Sequence, residues 1–188
     1  MSAIRVLVSG AFGRMGRQVA QAVHSARDME LVGGVDPRGV GHPMSEILGD
    51  ASDLSISGHL AGTLEEIKPD VMVDFTVPAV VMDNLEAAIT RKVACVVGTT
   101  GLSETDLDVI RTMCERNETP CFIAPNFSIG ANLMMRYAAD AARSFDYAEV
   151  IERHHENKVD SPSGTALRTA ELMAQARGED FETVPTEV

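Results

Sequence analysis

Residues 4–16, IRVLVSGAFGRMG, decide the fold of this chain. A β-branched apolar run ends at Ser9, and glycines follow at positions 10, 13 and 16. Apolar residues then recur at the spacing of one helical face, at Val19, Ala22, Val23 and Ala26. A strand that passes through a glycine turn into a helix predicts the first unit of a parallel nucleotide-binding sheet.

The glycines of this turn have separate tasks. Gly10 allows the tight turn, Gly13 lets backbone N–H groups approach a pyrophosphate, and Gly16 lets the helix pack close to the strand. Asp36 ends a second strand about twenty residues further on, where an acid accepts hydrogen bonds from an adenosine ribose. Because Asp36 repels a ribose 2′-phosphate and Arg38 attracts one, the pair favours NADH and leaves NADPH open.

Buried strands and amphipathic helices alternate from residue 4 to residue 125. Strand-like runs follow the first strand at 31–36, 70–76, 93–98 and 121–125, and helix-like runs begin near Pro78 and Ser103. This alternation predicts a doubly wound parallel α/β sheet of Rossmann type, a dinucleotide-binding domain over residues 1–127. The stretch after Asp36 is expected to be mostly loop, with one short helix.

Residues 128–188 are expected to form a second, α+β domain that binds the substrate and carries the catalytic groups. The pattern predicts a long helix at 128–144, a strand at 147–153, a polar loop at 154–163 and a helix at 164–177, which Gly178 ends.

The overall composition excludes some classes of protein. A formal net charge of −12 argues against a nucleic-acid partner, because such binding depends on Lys and Arg. The apolar runs are too short for a membrane span and no leader precedes the first strand, so a cytoplasmic location is expected. The three cysteines show no metal-ligand spacing and are interpreted as buried, reduced thiols.

Two further loops follow strand ends of the same predicted sheet, GTTG at 98–101 and APNFS at 124–128. The carboxyl ends of the strands are where an open α/β sheet binds its ligand. Small residues and a side-chain amide there suit a nicotinamide, which needs close approach and a partner for its carboxamide. Ordinary turns and helix caps explain each loop equally well when it is taken alone.

The stretch IERHHENKVDSPSGTA, at 151–166, combines two adjacent histidines, a lysine, several carboxylates and a Ser-Gly-Thr turn. His154 and Lys158 can both present protons near neutral pH in a tuned site. Residues 163–165 (Ser-Gly-Thr) start a helix, whose free N–H groups suit a carboxylate. The segment therefore predicts a site that holds and protonates an anionic small molecule, although a solvated loop and a plain helix cap remain open.

A metal site built from Glu152, His154, His155 and Asp160 is the other interpretation of this segment. Its spacing matches no common zinc pattern, and Lys158 would lie among the ligands. We therefore predict no bound metal.

At this point the sequence resembles the 4-hydroxy-tetrahydrodipicolinate reductase (dihydrodipicolinate reductase) family of the diaminopimelate route to lysine. The resemblance rests on VSGAFGRMG at 8–16, DFTVP at 74–78, GTTG at 98–101, APNFSIGANL at 124–133 and, above all, IERHHENKVDSPSGTA at 151–166. It implies an oxidoreductase that uses NADH or NADPH to reduce a cyclic hydroxy-imine dicarboxylate to tetrahydrodipicolinate with loss of water.

The resemblance also implies roles for individual residues. His154 and Lys158 match the catalytic pair that supplies the proton. Substrate-binding positions match His155, Ser163, Gly164 and Thr165. Together with Arg38, the cofactor-binding positions are Gly10, Ala11, Phe12, Gly13, Arg14, Met15, Gly16, Asp36, Gly98, Thr99, Thr100, Ala124, Pro125, Asn126 and Phe127.

Family members usually continue for several dozen residues beyond the point that corresponds to Val188, with strands that build a homotetramer. The substrate domain is therefore expected to be C-terminally incomplete, with an exposed strand edge and impaired assembly.

Three other functions are compatible with the sequence: a nucleotide-binding module without catalysis, a metal-dependent hydrolase built on the histidine pair, and a related amino-acid dehydrogenase.

Overall fold

The computed structural model describes residues 2–124, 126–154, 162–179 and 181. The chain divides into two compact units, Met1–Ala124 (unit 1) and Pro125–Val188 (unit 2). Among the described residues, no helix is long and apolar enough to cross a membrane.

Unit 1 is built on one parallel sheet of six strands in the order β3-β2-β1-β4-β5-β6. The strands are β1 Ile4–Ser9, β2 Met29–Val35, β3 Ile56–Ser57, β4 Val71–Asp74, β5 Ala94–Val97 and β6 Cys121–Ile123. The helices are α1 Arg14–Ser25, α2 Ser45–Leu48, α3 Leu60–Ile67, α4 Pro78–Ile89 and α5 Glu104–Asn117. The chain leaves β1 toward β2 and later returns to β4 on the other side of β1. This confirms the predicted Rossmann-type sheet.

The sheet is covered on both faces, as the alternation of side chains along β1 shows. Val6 and Val8 belong to one apolar cluster together with Ala20 of α1. Leu7, which points to the opposite face, packs in the other cluster with Leu85 of α4. Each fully buried aliphatic side chain of this kind stabilises the fold by roughly 1.5–3 kcal/mol.

The region after Asp36 contains more regular structure than the sequence predicts. It forms a 3-10 helix at Pro37–Gly39, α2, β3 and then α3, which the sequence pattern did not indicate. β3 is only two residues long, and Ile56 is its one deeply buried side chain. A strand of two residues is too short to leave an apolar run in the sequence. Its position depends on pairing with β2.

The described part of unit 2 contains two helices, α6 Ile129–Ala142 and α7 Gly164–Arg177. They pack on each other and bury Met135, Ala142, Thr169 and Met173. α7 ends at Gly178, whose φ of 78° is the left-handed conformation that a glycine accepts without strain.

Residues 147–153 are not a strand, and this sequence-based prediction is wrong. The segment lacks regular structure, and Val150 and Ile151 are 42% and 82% exposed. An extended segment becomes a strand only beside another strand, and unit 2 has no other strand in its described residues.

Candidate nucleotide and substrate sites

The glycine turn between β1 and α1 has no room for a side chain at Gly10 or Gly16. Gly10 has a φ of +80°, and a Cβ there would lie 2.4 Å from the Phe75 carbonyl oxygen. A Cβ on Gly16 would lie 1.9 Å from the carbonyl oxygen of Gly10. The N–H groups of Gly10 and Ala11 both donate to Val35 O, which ties the turn to the end of β2. The turn therefore brings bare backbone to the carboxyl end of β1.

The start of α1 is open to an anion. Gly13 is its N-cap and supplies no side-chain hydrogen bond to the first turn. Helix N–H groups left without such a cap carry partial positive charge toward the ligand side. Arg14 and Met15 follow on the exposed side, while Phe12 is half-buried under the Arg17 guanidinium at 4.1 Å. The turn and the helix start together fit a pyrophosphate.

Asp36 follows the end of β2 and is 3% exposed. Its Oδ2 accepts a hydrogen bond from Phe12 N at 3.2 Å, so the acid is joined to the glycine turn. Its Oδ1 accepts from Arg38 N at 3.0 Å and caps the 3-10 helix. The structure thus brings Asp36, Arg38 and the glycine turn together, as the sequence predicts.

The Arg38 guanidinium also pairs with Asp36. Arg38 Nη2 lies 3.2 Å from Asp36 Oδ2, although the Arg38 side chain is 73% exposed. Burial alone would raise the pKa of Asp36, but the hydrogen bonds and charge of Arg38, with the Phe12 N–H, lower it below its usual value. Asp36 is therefore an anion at neutral pH, beside an exposed guanidinium group.

A cavity of about 510 Å³ lies along this edge of the sheet. It runs from Ser9 and Gly10, past Asp36 and Arg38, to His59 and to the loop after β4. A cavity of this size, bounded by an acid at the carboxyl ends of parallel strands, fits the adenosine half of a dinucleotide.

The loops after β4 and β5 are joined by a buried acid that the sequence analysis did not identify. Asp74 accepts a hydrogen bond from Thr99 Oγ1 at 2.6 Å and another from Thr76 Oγ1 at 2.7 Å. Thr99 is 5% exposed, and its hydroxyl also accepts from Thr76 N. Gly98 faces the Phe75 ring, while Thr100 is exposed. Thr99 therefore holds the loop, and Thr100 lies on its outer side.

In unit 2, Glu152 connects two parts of the predicted substrate site. Its Oε1 accepts a hydrogen bond from Ser163 N at 2.8 Å, and its Oε2 lies 3.5 Å from His154 Nδ1. The His154 side chain is 40% exposed, whereas that of Glu152 is 24% exposed. A half-buried carboxylate thus holds an accessible imidazole near the start of α7. From the sequence, Glu152 was predicted only as a candidate metal ligand.

The start of α7 is capped and has an open position. Ser163 caps the helix, since its hydroxyl accepts from Ala166 N at 3.1 Å. A Cβ on Gly164 would meet no atom of the described residues within 4 Å. Thr165 Oγ1 accepts a hydrogen bond from Asn126 Nδ2 at 3.3 Å. Asn126 Oδ1 in turn accepts from Ser128 N, so one amide links the starts of α6 and α7.

The remaining predicted site residues are placed as follows. Ala124 is the half-buried last residue of unit 1, and Phe127 in unit 2 is 42% exposed. Pro125, His155 and Lys158 lie outside the described residues. Within the described ranges, no group of three or more His, Cys, Asp or Glu side chains has a geometry that could hold a metal ion.

Family models and known proteins match this chain over most of its length. Residues 4–127 match the family model of the N-terminus of dihydrodipicolinate reductase, and residues 130–187 match that of its C-terminus. The chain is 46% identical over 179 residues to 4-hydroxy-tetrahydrodipicolinate reductase of Desulfitobacterium hafniense, which covers 94% of this chain and 67% of that one. It is 46% identical over 175 residues to the enzyme of the same name from Moorella thermoacetica, covering 93% and 66%. The chain thus spans about two thirds of these relatives' length.

A solved structure is also similar, the dipicolinate-bound dihydrodipicolinate reductase of Paenisporosarcina sp. TG-14. It superposes with a TM-score of 0.80 at 36% identity, over 99% of this chain and 71% of that one. Fold and glycine turn define the class, an oxidoreductase with a Rossmann-type domain and a nicotinamide cofactor. The chain belongs to the dihydrodipicolinate reductase family, whose members are named 4-hydroxy-tetrahydrodipicolinate reductase and act in the diaminopimelate route to lysine.

Proposed function

We propose that this chain reduces 4-hydroxy-tetrahydrodipicolinate to tetrahydrodipicolinate. The balanced reaction consumes the hydroxy-imine, NAD(P)H and one proton, and yields tetrahydrodipicolinate, NAD(P)⁺ and water. The observation that carries the proposal is the arrangement around Glu152, which places His154 near a helix start suited to a carboxylate. A dicarboxylate ligand is supported by the dipicolinate bound to the Paenisporosarcina relative.

Unit 1 would hold the cofactor. The residues proposed for the pyrophosphate are those of the turn from Gly10 to Gly16, and Asp36 would accept from the adenosine ribose hydroxyls. The turns at 98–100 and 124–127 are proposed to border the nicotinamide. When it is bound, the reduced nicotinamide supplies the hydride.

Unit 2 would hold the substrate and supply the proton. His154, with Glu152 against its Nδ1, and Lys158 are proposed as the acid–base pair. His155, Gly164 and Thr165 are proposed to bind the substrate carboxylates, and the bare backbone at Gly164 lets an anion approach the first N–H groups of α7. Ser163 would contribute mainly by capping the same helix.

We propose NADH as the preferred cofactor, with NADPH also accepted. The buried, anionic Asp36 favours free ribose hydroxyls, since a 2′-phosphate would add a second negative charge beside it. Arg38 is exposed and can reach a 2′-phosphate if it leaves Asp36. Replacing Asp36 with Asn is expected to weaken NADH more than NADPH, and the opposite order would assign cofactor choice to Arg38.

We further propose that residues 1–127 act as the cofactor domain and residues 128–188 as the substrate domain. The three cysteines are free, which suits a cytoplasmic enzyme. For assembly, the homotetramer that the resemblance implies is the state to test, by light scattering of the purified chain.

The deciding experiment measures NADH oxidation by the purified 188-residue chain, with the cyclic substrate generated in situ, beside Lys158→Ala. We expect turnover in the wild type, a large loss in Lys158→Ala and unchanged NADH affinity in both. NADH binding without turnover would make the chain a nucleotide-binding module. Turnover of aspartate or homoserine derivatives instead would make it an amino-acid dehydrogenase.

A further inference from the structure

Asp74, the last residue of β4, is fully buried, with 0% of its surface exposed. Both carboxylate oxygens are used inside the protein. Oδ1 accepts from the hydroxyls of Thr76 and Thr99 and from Thr76 N at 3.1 Å. Oδ2 accepts from Asn84 Nδ2 at 2.8 Å. No part of this carboxylate is left to meet a ligand.

The partners of Asp74 come from separate elements at one edge of the sheet. Thr76 lies in the loop after β4, Thr99 in the loop after β5, and Asn84 in α4. Asn84 also reaches Ser9 Oγ at 3.4 Å, at the end of β1 and next to Gly10. These hydrogen bonds therefore connect the end of β1 with the loops that follow the adjacent strands β4 and β5.

The carboxyl ends of β1 and β4 mark the point where the strand order of the sheet reverses. β1 pairs with β2 on one side and with β4 on the other. In open α/β sheets, ligands bind beyond the strand ends at such a reversal. A buried carboxylate is a costly way to stabilise a core, since apolar residues of the same volume often do as well. The presence of a buried carboxylate at Asp74 is explained if the positions of these loops matter for ligand binding.

We propose that Asp74 is a positioning residue for the nicotinamide half of the cofactor, acting through Thr99. The inference rests on the proposed function. The Thr99 hydroxyl donates a hydrogen bond to Asp74 and accepts one from Thr76 N, so both its donor and its acceptor are used within the protein. Thr99 therefore fixes the 98–101 turn for the cofactor rather than binding the cofactor with its side chain.

The test compares Thr99→Val, Thr99→Ser and Asp74→Asn. Each is titrated with NADH and with ADP-ribose, which lacks the nicotinamide. Thr99→Val keeps the shape of the side chain but removes the bond to Asp74, so we expect about tenfold weaker NADH binding and nearly unchanged ADP-ribose binding. Thr99→Ser restores the hydroxyl and should restore NADH affinity. Asp74→Asn should weaken NADH binding, and its effect should not add to that of Thr99→Val.

A swap of the Asp74–Asn84 pair covers the case in which a single variant fails to fold. Asn84→Asp alone opposes two carboxylates, whereas Asp74→Asn with Asn84→Asp reverses the hydrogen bond and keeps every other acceptor. We expect the double variant to recover thermal stability and NADH affinity together.

Three results would overturn the inference. The first is a double variant that regains stability without NADH affinity, which makes the pair purely structural. The second is NADH and ADP-ribose affinities that fall together in Thr99→Val. The third is additive effects of Asp74→Asn and Thr99→Val, which would mean that Thr99 binds the cofactor directly. A wild-type chain that binds NADH without turnover contradicts the proposed function alone.

Discussion

Glu152 accepts a hydrogen bond from the backbone N–H of Ser163 at 2.8 Å, across eleven positions of sequence. The same carboxylate contacts His154 Nδ1 at 3.5 Å through its other oxygen. One side chain thus sets the spacing between the proposed proton donor and the proposed carboxylate site. The distance is that of an ion pair, so Glu152 would act on His154 through its negative charge.

Glu152→Gln tests this arrangement. Glutamine keeps an acceptor for Ser163 N but removes the negative charge facing His154. We expect kcat to fall about tenfold or more with little change in the KM for substrate, because the helix start stays in place. Steady-state kinetics over a range of pH measure both constants. Glu149→Gln, an exposed position on the same segment, is the matched control. Equal kinetics in Glu152→Gln and the control would remove Glu152 from the mechanism.

Gly164→Ala tests the proposed carboxylate site. The described residues leave room for a methyl group at this position, since a Cβ would meet none of their atoms within 4 Å. The substitution should therefore preserve or slightly raise thermal stability, because alanine favours a helix by about 0.5–1 kcal/mol over glycine. A ligand that approaches the backbone would be obstructed, so we expect a raised KM for substrate.

The matched control for this substitution is Gly130→Ala near the start of α6, where the nearest atom to a Cβ is Ser128 Oγ at 3.9 Å. It should gain comparable stability and keep the wild-type KM. An unchanged KM in Gly164→Ala would place the substrate carboxylates elsewhere.

Gly16→Ala should act on the fold and on the cofactor together. Its Cβ would lie 1.9 Å from the carbonyl oxygen of Gly10, a backbone atom that cannot rotate away. We expect a loss of about 1–3 kcal/mol or more in the free energy of unfolding, measured with urea. The displaced turn should also bind ADP-ribose poorly. Wild-type stability in Gly16→Ala would contradict the close packing of α1 on β1.

These residues show which parts of the site are readable from sequence. The positions of Gly10, Gly16 and Asp36 in the fold were predictable because a local turn and a fixed spacing define them. Asp74 was not predicted as part of the site, because its hydrogen-bond partners Thr99 and Asn84 come together only in the folded sheet. The same holds for Glu152, which meets Ser163 only once the start of α7 is in place.

Sheet elements show the same limit. The long strands were predicted because they carry apolar runs, whereas β3 is fixed by pairing with β2 rather than by its own sequence. The incorrect prediction of a strand at 147–153 has a different cause. Its residues favour extended structure, yet an extended segment needs a neighbour that composition does not reveal.

Asp36 should make stability depend on pH at the acid end. Its pKa is lowered in the folded chain, so its contribution to stability is present above the unfolded value, near 3.8, and is lost as the pH falls through the folded value. Asp36→Asn should therefore be less stable than the wild type at neutral pH, and the gap should narrow below about pH 4. Urea unfolding of both proteins from neutral to acid pH measures this. A gap that does not change with pH would mean that the carboxylate charge adds nothing.

The three cysteines should react at different rates, although all are free. Cys95 and Cys121 are register partners on β5 and β6, and Cys114 on α5 also contacts Cys121. The neighbouring thiols of Cys95 and Cys114 lower the pKa of the Cys121 thiol. The Cys121 thiol and burial raise the pKa of Cys95, and burial raises that of Cys114. Cys121 therefore carries the largest thiolate fraction of the three.

We expect iodoacetamide at neutral pH to modify Cys121 first, with Cys95 nearly inert because it is also 2% exposed. Cys114 is half-buried like Cys121, so exposure alone would make the two react alike. Peptide mass spectrometry over a time course measures the order. Cys95→Ala removes the neighbouring thiol that lowers the pKa of Cys121, so it should slow the modification of Cys121. If Cys114 reacts as fast as Cys121, or if Cys95→Ala leaves the rate unchanged, the neighbouring thiols do not control the reactivity of Cys121.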